Sequence, residues 1–84
     1  MKRRRVRTVE QAFGRVVQAR RSELEISQEE LGFRSGLHRT FISQLERGVK
    51  SPSLRSLIAI ARALETKADV LVHEAERLWE ESTR

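Results

Sequence analysis

The stretch ISQEELGFRSGLHRTFISQLERG, from Ile26 to Gly48, constrains the fold more than any other part of the sequence. Ser27 is a good helix N-cap, and Glu30 three residues later completes the pattern of a capping box. Gly36 can adopt the left-handed backbone conformation that ends a helix and redirects the chain. A second helix is then predicted from about His38 to Gly48, where another glycine ends it. The stretch therefore predicts two short helices joined by a tight turn.

The second of these helices is predicted to have two distinct faces. Ile42 and Leu45 point one way at 100° per residue, with Phe41 on their flank. The opposite face has no acidic residue, although charged residues make up 35% of the chain. Arginine pairs with guanine, glutamine with adenine, and serine or threonine with bases or phosphates. An ordinary solvated face would mix Glu and Lys, so this face favours DNA reading; its residues are Arg39, Thr40, Ser43, Gln44 and Arg47.

These segments resemble the helix-turn-helix of the Cro/phage-repressor family, also called the XRE family. SQEEL, the Gly36-Leu37 turn and ISQLERG carry the resemblance, and FGRVVQARR (13–21) and SPSLRSLIAIARAL (51–64) extend it. The motifs occur in the family's order and cover roughly Val9 to Val72. The resemblance implies that the second helix enters the DNA major groove, where Arg39, Thr40, Ser43 and Gln44 contact base edges. It places Gln28, His38 and Arg47 at the DNA backbone.

Composition and length limit the chain to one small domain. With 84 residues and 38% hydrophobic content, it can form a modest core, which favours a compact all-helical fold. The absence of cysteine excludes disulfides and thiolate metal sites. No apolar run approaches membrane-spanning length, and the start MKRRRVRTVEQ lacks the apolar segment of a signal peptide. We expect a soluble cytoplasmic protein without membrane association.

Positive charge is concentrated at the beginning of the chain. Residues 1–21 contain eight basic residues against one glutamate, whereas residues 73–84 contain four glutamates against two arginines. Such an N-terminal half suits a polyanion partner. Residues 1–8 show no apolar periodicity and are predicted to form a flexible basic arm, with Arg3, Arg4 and Arg5 on the DNA backbone. The alternative is a solubilising tail; residues 9–84 form the predicted domain.

Three further helices complete the prediction of a five-helix bundle of the phage-repressor DNA-binding type. The first runs from about Val9 to Ser22, with Thr8 as its cap and apolar residues at helical spacing. The fourth begins at Ser51-Pro52, with Pro52 as its first helical residue. Its predicted core face is Leu54, Leu57, Ile58, Ala61 and Leu64. A short capping signal, Thr66 with Asp69, begins the fifth and extended C-terminal helix.

Two charged residues match family positions that join the first and third helices. Arg21 and Glu46 are implied by the resemblance to form a half-buried structural ion pair that sets the orientation of these helices. The alternative is two ordinary surface charges.

The last helix carries an apolar stripe beyond the minimal family domain, formed by Leu71, Ala75, Leu78 and Trp79. The stripe needs a second surface to cover it. We favour a homodimer partner, because relatives in the family bind two-fold operators as dimers. Folding of this helix back on the first helix is the alternative.

Enzymatic and metal-dependent functions find little support in the sequence. His38 and His73 fall on different helices, and no cysteine or carboxylate cluster accompanies them. The adjacent pairs Glu29-Glu30 and Glu80-Glu81 diverge on a helix and cannot act together on one bond. We therefore expect no catalytic residue, no metal and no cofactor.

The sequence thus predicts a homodimeric transcriptional regulator that binds a palindromic operator in double-stranded DNA. A restriction-modification controller and a phage-type or general repressor both fit this interpretation. The competing hypothesis is an antitoxin or adaptor whose C-terminal helix binds a different protein.

Overall fold

Five α-helices and no strand make up residues 5–83, the part of the chain described by the computed structural model. They are α1 (Val9–Glu23), α2 (Gln28–Ser35), α3 (Arg39–Glu46), α4 (Leu54–Ala63) and α5 (Ala68–Ser82). The predicted all-α five-helix bundle is confirmed. None of the helices in this part of the chain is long and apolar enough to cross a membrane. Arg3 and Arg4, predicted on the DNA backbone, lie outside the described residues.

Local capping residues set the beginnings of α1 and α2 as the sequence predicts. The Thr8 hydroxyl accepts a hydrogen bond from the Gln11 amide at 3.0 Å, and Ser27 accepts one from the Glu30 amide at 3.0 Å. Only half of the predicted capping box forms, because the Glu30 carboxylate pairs with Arg34 at 2.9 Å instead. Gly36 ends α2 with φ of 73°, the left-handed conformation that the turn requires.

The predicted starts of α4 and α5 are wrong by two residues and by one residue. Ser53 caps α4, its hydroxyl accepting from the Ser56 amide at 3.1 Å, so Pro52 precedes the cap and is not helical. Thr66 does not cap α5; its backbone amide donates to the Ala61 carbonyl at 2.9 Å and closes the end of α4. Lys67 takes the cap position without a side-chain hydrogen bond.

The core contains one face of each helix, and α4 presents a different face from the one predicted. Leu54 is 73% exposed and Ile58 is also exposed, whereas Ile60 is fully buried. Residues 57, 60, 61 and 64 form the i, i+3, i+4, i+7 set that faces inward, which leaves Leu54 and Ile58 at its outer margin. The largest fully buried side chains are Val17, Leu31, Ile42, Leu45, Ile60, Leu64 and Leu71.

Helix α5 packs along α1 of the same chain. Leu71 and Ala75 are 0% and 3% exposed within the single chain, so both side chains, which were predicted at a dimer interface, are already covered without a partner. The inward face of α5 is covered by α1, because a single chain of this size can fold its last helix back on its first. Leu78 packs against the edge of this core, and Trp79 stays partly exposed. An ion pair between Arg20 and Glu74, at 2.7 Å, joins the two helices.

The segment before α1 is attached to the domain at Val6. This side chain is 4% exposed and belongs to the core, although it lies within residues 1–8, which were predicted to form a flexible arm. The next residue, Arg7, donates its backbone N–H to the Gln11 side-chain oxygen at 2.7 Å. A search for apolar periodicity cannot detect a single apolar residue, such as Val6, that packs against the core without apolar neighbours in the sequence.

Helices α1 and α3 approach closely at Gly14. A Cβ atom at this position would lie 2.5 Å from the Glu46 carbonyl oxygen, which is too close for any side chain. The glycine lowers the helix propensity of α1 but allows the contact. It thereby helps place α3 at the surface beside α1.

Candidate nucleic-acid interface

The position of α3 in the bundle decides which of its residues face outward. Ile42 and Leu45 are fully buried, so the helix is fixed about its own axis. Arg39 and Thr40 are exposed, and Ser43 and Gln44 are half-exposed on the same outer side. The structure therefore brings together the four residues predicted at base edges. Their contact with DNA stays a prediction.

The N-terminus of α3 is capped by a histidine. The Nδ1 atom of His38 accepts a hydrogen bond from the Thr40 amide at 3.0 Å, a role in which Ser or Thr is the commoner choice. Because Nδ1 accepts, the ring proton of the neutral imidazole lies on Nε2. The exposed ring can therefore donate from Nε2 to a phosphate oxygen while it caps the helix.

An ion pair with good geometry joins α1 to the end of α3. The Arg21 guanidinium binds both carboxylate oxygens of Glu46, with N–O distances of 2.7 and 3.1 Å, and also donates to the Ile26 carbonyl at 3.0 Å. The hydrogen bond that Arg21 donates to Glu46 raises the pKa of Arg21, and burial offsets part of this effect. The Glu46 side chain is only 3% exposed. The pair thus fixes α1, α3 and the link to α2 together.

Gln28 extends this network toward the surface. As the first residue of α2, it donates its side-chain Nε2 to Glu46 Oε1 at 2.9 Å. This bond orients the amide at a helix N-terminus, where the backbone N–H groups and the helix dipole favour an anion. The arrangement suits the phosphate contact predicted for Gln28.

An open cleft of about 740 Å³ lies between α1, the segment before it and the outer side of α3. We call it the basic cleft, since Arg5, Arg7, Arg15 and Arg47 line it. None of these arginines forms an ion pair with another residue in 5–83. Its one acidic lining residue, Glu46, is paired with Arg21. The cleft is therefore strongly positive.

The sequence prediction did not assign a function to the α1 wall of this cleft. Gln11, Arg15 and Gln18 line it, and they recur at i, i+4 and i+7 along α1. This polar stripe, without an acidic residue, runs along the side of α1 away from its apolar stripe. This polar stripe is the sequence signal from which the α1 side of the basic cleft could have been predicted.

A family model for helix-turn-helix proteins matches residues 17–71, which is most of the chain. The chain belongs to the Cro/phage-repressor (XRE) type of helix-turn-helix family. Members of this family are DNA-binding transcriptional regulators and not enzymes, which confirms the expectation for this chain. The matched range contains α2, α3, the turn between them and the ion pair.

Among curated helix-turn-helix relatives are two control proteins. Control protein C.BamHI from Bacillus amyloliquefaciens is 47% identical over 53 residues, covering 62% of this chain and 65% of that protein. Control protein C.SmaI from Serratia marcescens is 41% identical over 56 residues, covering 67% of both. A helix-turn-helix regulator of Sinorhizobium fredii is 49% identical over 49 residues. The chain spans between a quarter and two thirds of the length of these three relatives.

Solved helix-turn-helix structures share the fold over most of the chain. The restriction-modification controller protein C.AhdI from Aeromonas hydrophila superposes with a TM-score of 0.72 at 34% identity, covering 74% of this chain and 94% of that one. The DNA-binding domain of the P22 C2 repressor superposes with a TM-score of 0.70 at 37% identity, covering 71% and 79%.

Proposed function

We propose that the protein is a cytoplasmic homodimeric transcriptional regulator that binds a palindromic operator in a sequence-specific manner. The observation that carries the proposal is the outward face of α3. It holds Arg39, Thr40, Ser43 and Gln44 without an acidic residue, and the buried Ile42 and Leu45 fix its direction. A face of this chemistry matches the donors and acceptors of the major groove.

The proposed contacts divide into two kinds. Arg39, Thr40, Ser43 and Gln44 contact base edges and select the sequence. Contacts with the DNA backbone come from the two ends of α3, which we call the reading helix, and from the N-terminus of α2. These contacts set the register of the protein on the duplex without selecting bases. The residues proposed for these backbone contacts are His38 and Arg47 at the ends of α3, Gln28 at the start of α2, and Arg5 in the segment before α1.

A restriction-modification controller is the regulator class that best fits the relatives. The solved C.AhdI structure carries that description, and the curated C.BamHI and C.SmaI are control proteins. The adaptor hypothesis loses support, since α1 already covers Leu71 and Ala75, on which it depended.

The test begins with selection of bound sequences from a random DNA pool, which yields the preferred site. On that site Arg39→Ala and Gln44→Ala are each expected to weaken binding by about 1–3 kcal/mol, with a much smaller change on random duplex. Arg62→Ala is the matched control, because Arg62 is exposed on α4, away from this face. Equal losses on selected and random DNA would show that Arg39 and Gln44 touch only phosphate.

A further inference from the structure

We propose that the basic cleft is a second DNA-backbone site, which holds phosphates beside the reading helix through Arg7, Arg15 and Gln18. This inference rests on the proposed function, which already includes Arg5, and adds Arg7 and the outer side of α1 to the DNA-binding surface. The ligand class is the phosphodiester chain of duplex DNA.

The cleft adjoins the reading face directly. Ser43 of α3 and Arg47, the residue that follows this helix, form one wall, and Arg15 and Gln18 of α1 form the opposite wall. DNA seated against α3 therefore brings a phosphate chain to the mouth of the cleft. Arginine and glutamine supply several N–H donors each, the group that a phosphate oxygen accepts.

The charges of the cleft are free to act on a ligand. Elsewhere in the domain Arg20, Arg21 and Arg34 are neutralised by glutamates. By contrast, Arg7 and Arg15 have no acidic partner among residues 5–83. Like charges held close together repel one another, so an anion between them stabilises the arrangement.

The segment that carries Arg5 and Arg7 is held in place for this role. Val6, between them, is buried in the core, whereas Arg5 and Arg7 are exposed and line the same cleft. The Arg7 backbone is fixed by its hydrogen bond to Gln11, which itself lines the cleft. Val6 is therefore a positioning residue for the two arginines.

The decisive variant is Arg7→Gln with Arg15→Gln, and the matched control is Arg55→Gln with Arg62→Gln. Both doubles remove two exposed or half-exposed positive charges, but the control pair lies on α4, outside the cleft. For each lost phosphate contact, affinity should fall roughly tenfold near 0.1 M salt, and the slope of log K against log salt should become shallower by about 0.9. The loss should be equal on selected and random DNA, because phosphates carry no sequence.

Val6→Ala tests the positioning role without a change of charge. It should weaken DNA binding, whereas Val70→Ala, the same truncation at a half-buried site on α5, should not. Both are measured well below their unfolding temperatures. If the Val6→Ala and Val70→Ala variants bind DNA with the same affinity, the positioning role of Val6 is overturned.

Two results would overturn the cleft proposal. One is a cleft double variant with the affinity and salt slope of the α4 control. The other is saturable binding of inorganic phosphate, seen in the NMR signal of the Arg15 side chain, with unchanged DNA affinity in the double variant; this would mark a small-anion site. Failure of the proposed function is a separate result, because it appears as no sequence preference in the selection, whereas the cleft is also measured on random duplex.

Discussion

At the scale of single residues, two glutamates adopt a backbone conformation that normally favours glycine. Glu25 has φ of 58° and Glu65 has φ of 61°, each just after the end of a helix. At Glu25 the turn is closed by hydrogen bonds from Glu25 N to Ser22 O and from Ile26 N to Arg21 O, at 3.0 and 3.2 Å. The left-handed conformation costs an L-residue about 1–2 kcal/mol. The turn after α1 therefore reduces the stability of the domain.

Glu25→Gly should raise the free energy of unfolding. Relief of the left-handed strain outweighs the entropy that glycine adds to the unfolded chain, about 0.4–1 kcal/mol, so the net gain should reach up to about 1 kcal/mol. Urea denaturation measures it. The control is Glu23→Gly in the last turn of α1, where the backbone is right-handed and the change should cost about 0.5–1 kcal/mol. An equal loss of stability in Glu25→Gly and Glu23→Gly would show that the backbone at Glu25 is not strained.

At the scale of helices, the pair between Arg21 and Glu46 joins α1 to α3. Arg21→Ala leaves the nearly inaccessible Glu46 carboxylate with Gln28 as its side-chain partner. We expect this variant to lose about 3 kcal/mol of stability in chemical denaturation, since a buried charge without its partner is costly. Arg21→Met combined with Glu46→Leu should recover most of the loss, because apolar residues of similar size need no charge partner.

The double variant also separates stability from recognition. Without Glu46 the Gln28 amide loses its 2.9 Å hydrogen bond and its fixed direction. The stable double variant should therefore still bind DNA more weakly than the native protein. A double variant as unstable as Arg21→Ala would show that the pair contributes packing and not charge compensation.

Local signals made α2 and α3 predictable from sequence, whereas tertiary packing decided α4 and α5. Ser27 and Gly36 act within one helical turn, so their roles could be read directly. On α4, apolar residues occur on more than one side, and only docking against its neighbours buries Ile60 and exposes Leu54. Which surface packs against the apolar stripe of α5 was likewise decided by tertiary structure, because α1 of the same chain covers it. The base contacts of α3 remain predictions, because free protein shows orientation and not contact.

At the scale of the whole molecule, five of the seven exposed large apolar residues among residues 5–83 lie on α1, α4 and α5. Val9 and Val72 line a shallow apolar groove, together with Leu57 at its wall. Leu54 and Ile58 lie within one turn of Leu57, and Trp79 lies two turns beyond Val72 on the same side of α5. Such an apolar patch on a small, highly charged domain is typical of a protein–protein contact.

A second copy of the chain is the occupant that the proposed palindromic operator requires. Two copies joined across this groove would form a two-fold dimer, which presents two reading helices to half-sites about one DNA turn apart, near 34 Å. The interface proposed here thus lies on the outward side of α5 and not on its inward stripe, and of the residues first predicted there it keeps Trp79.

Val72→Ser combined with Trp79→Ser should therefore weaken dimerisation while the monomer stays folded, because neither side chain belongs to the buried core. Leu71→Ala is the contrasting variant, since truncating this fully buried leucine should cost about 2–5 kcal/mol of stability. Analytical ultracentrifugation measures association, and circular dichroism measures folding. Affinity for the full palindrome should fall much more than affinity for a half-site, because only the palindrome gains from linking two reading helices. A double variant that is still dimeric at micromolar concentration would place the interface outside this groove, and α5 would then act only as a cover for α1.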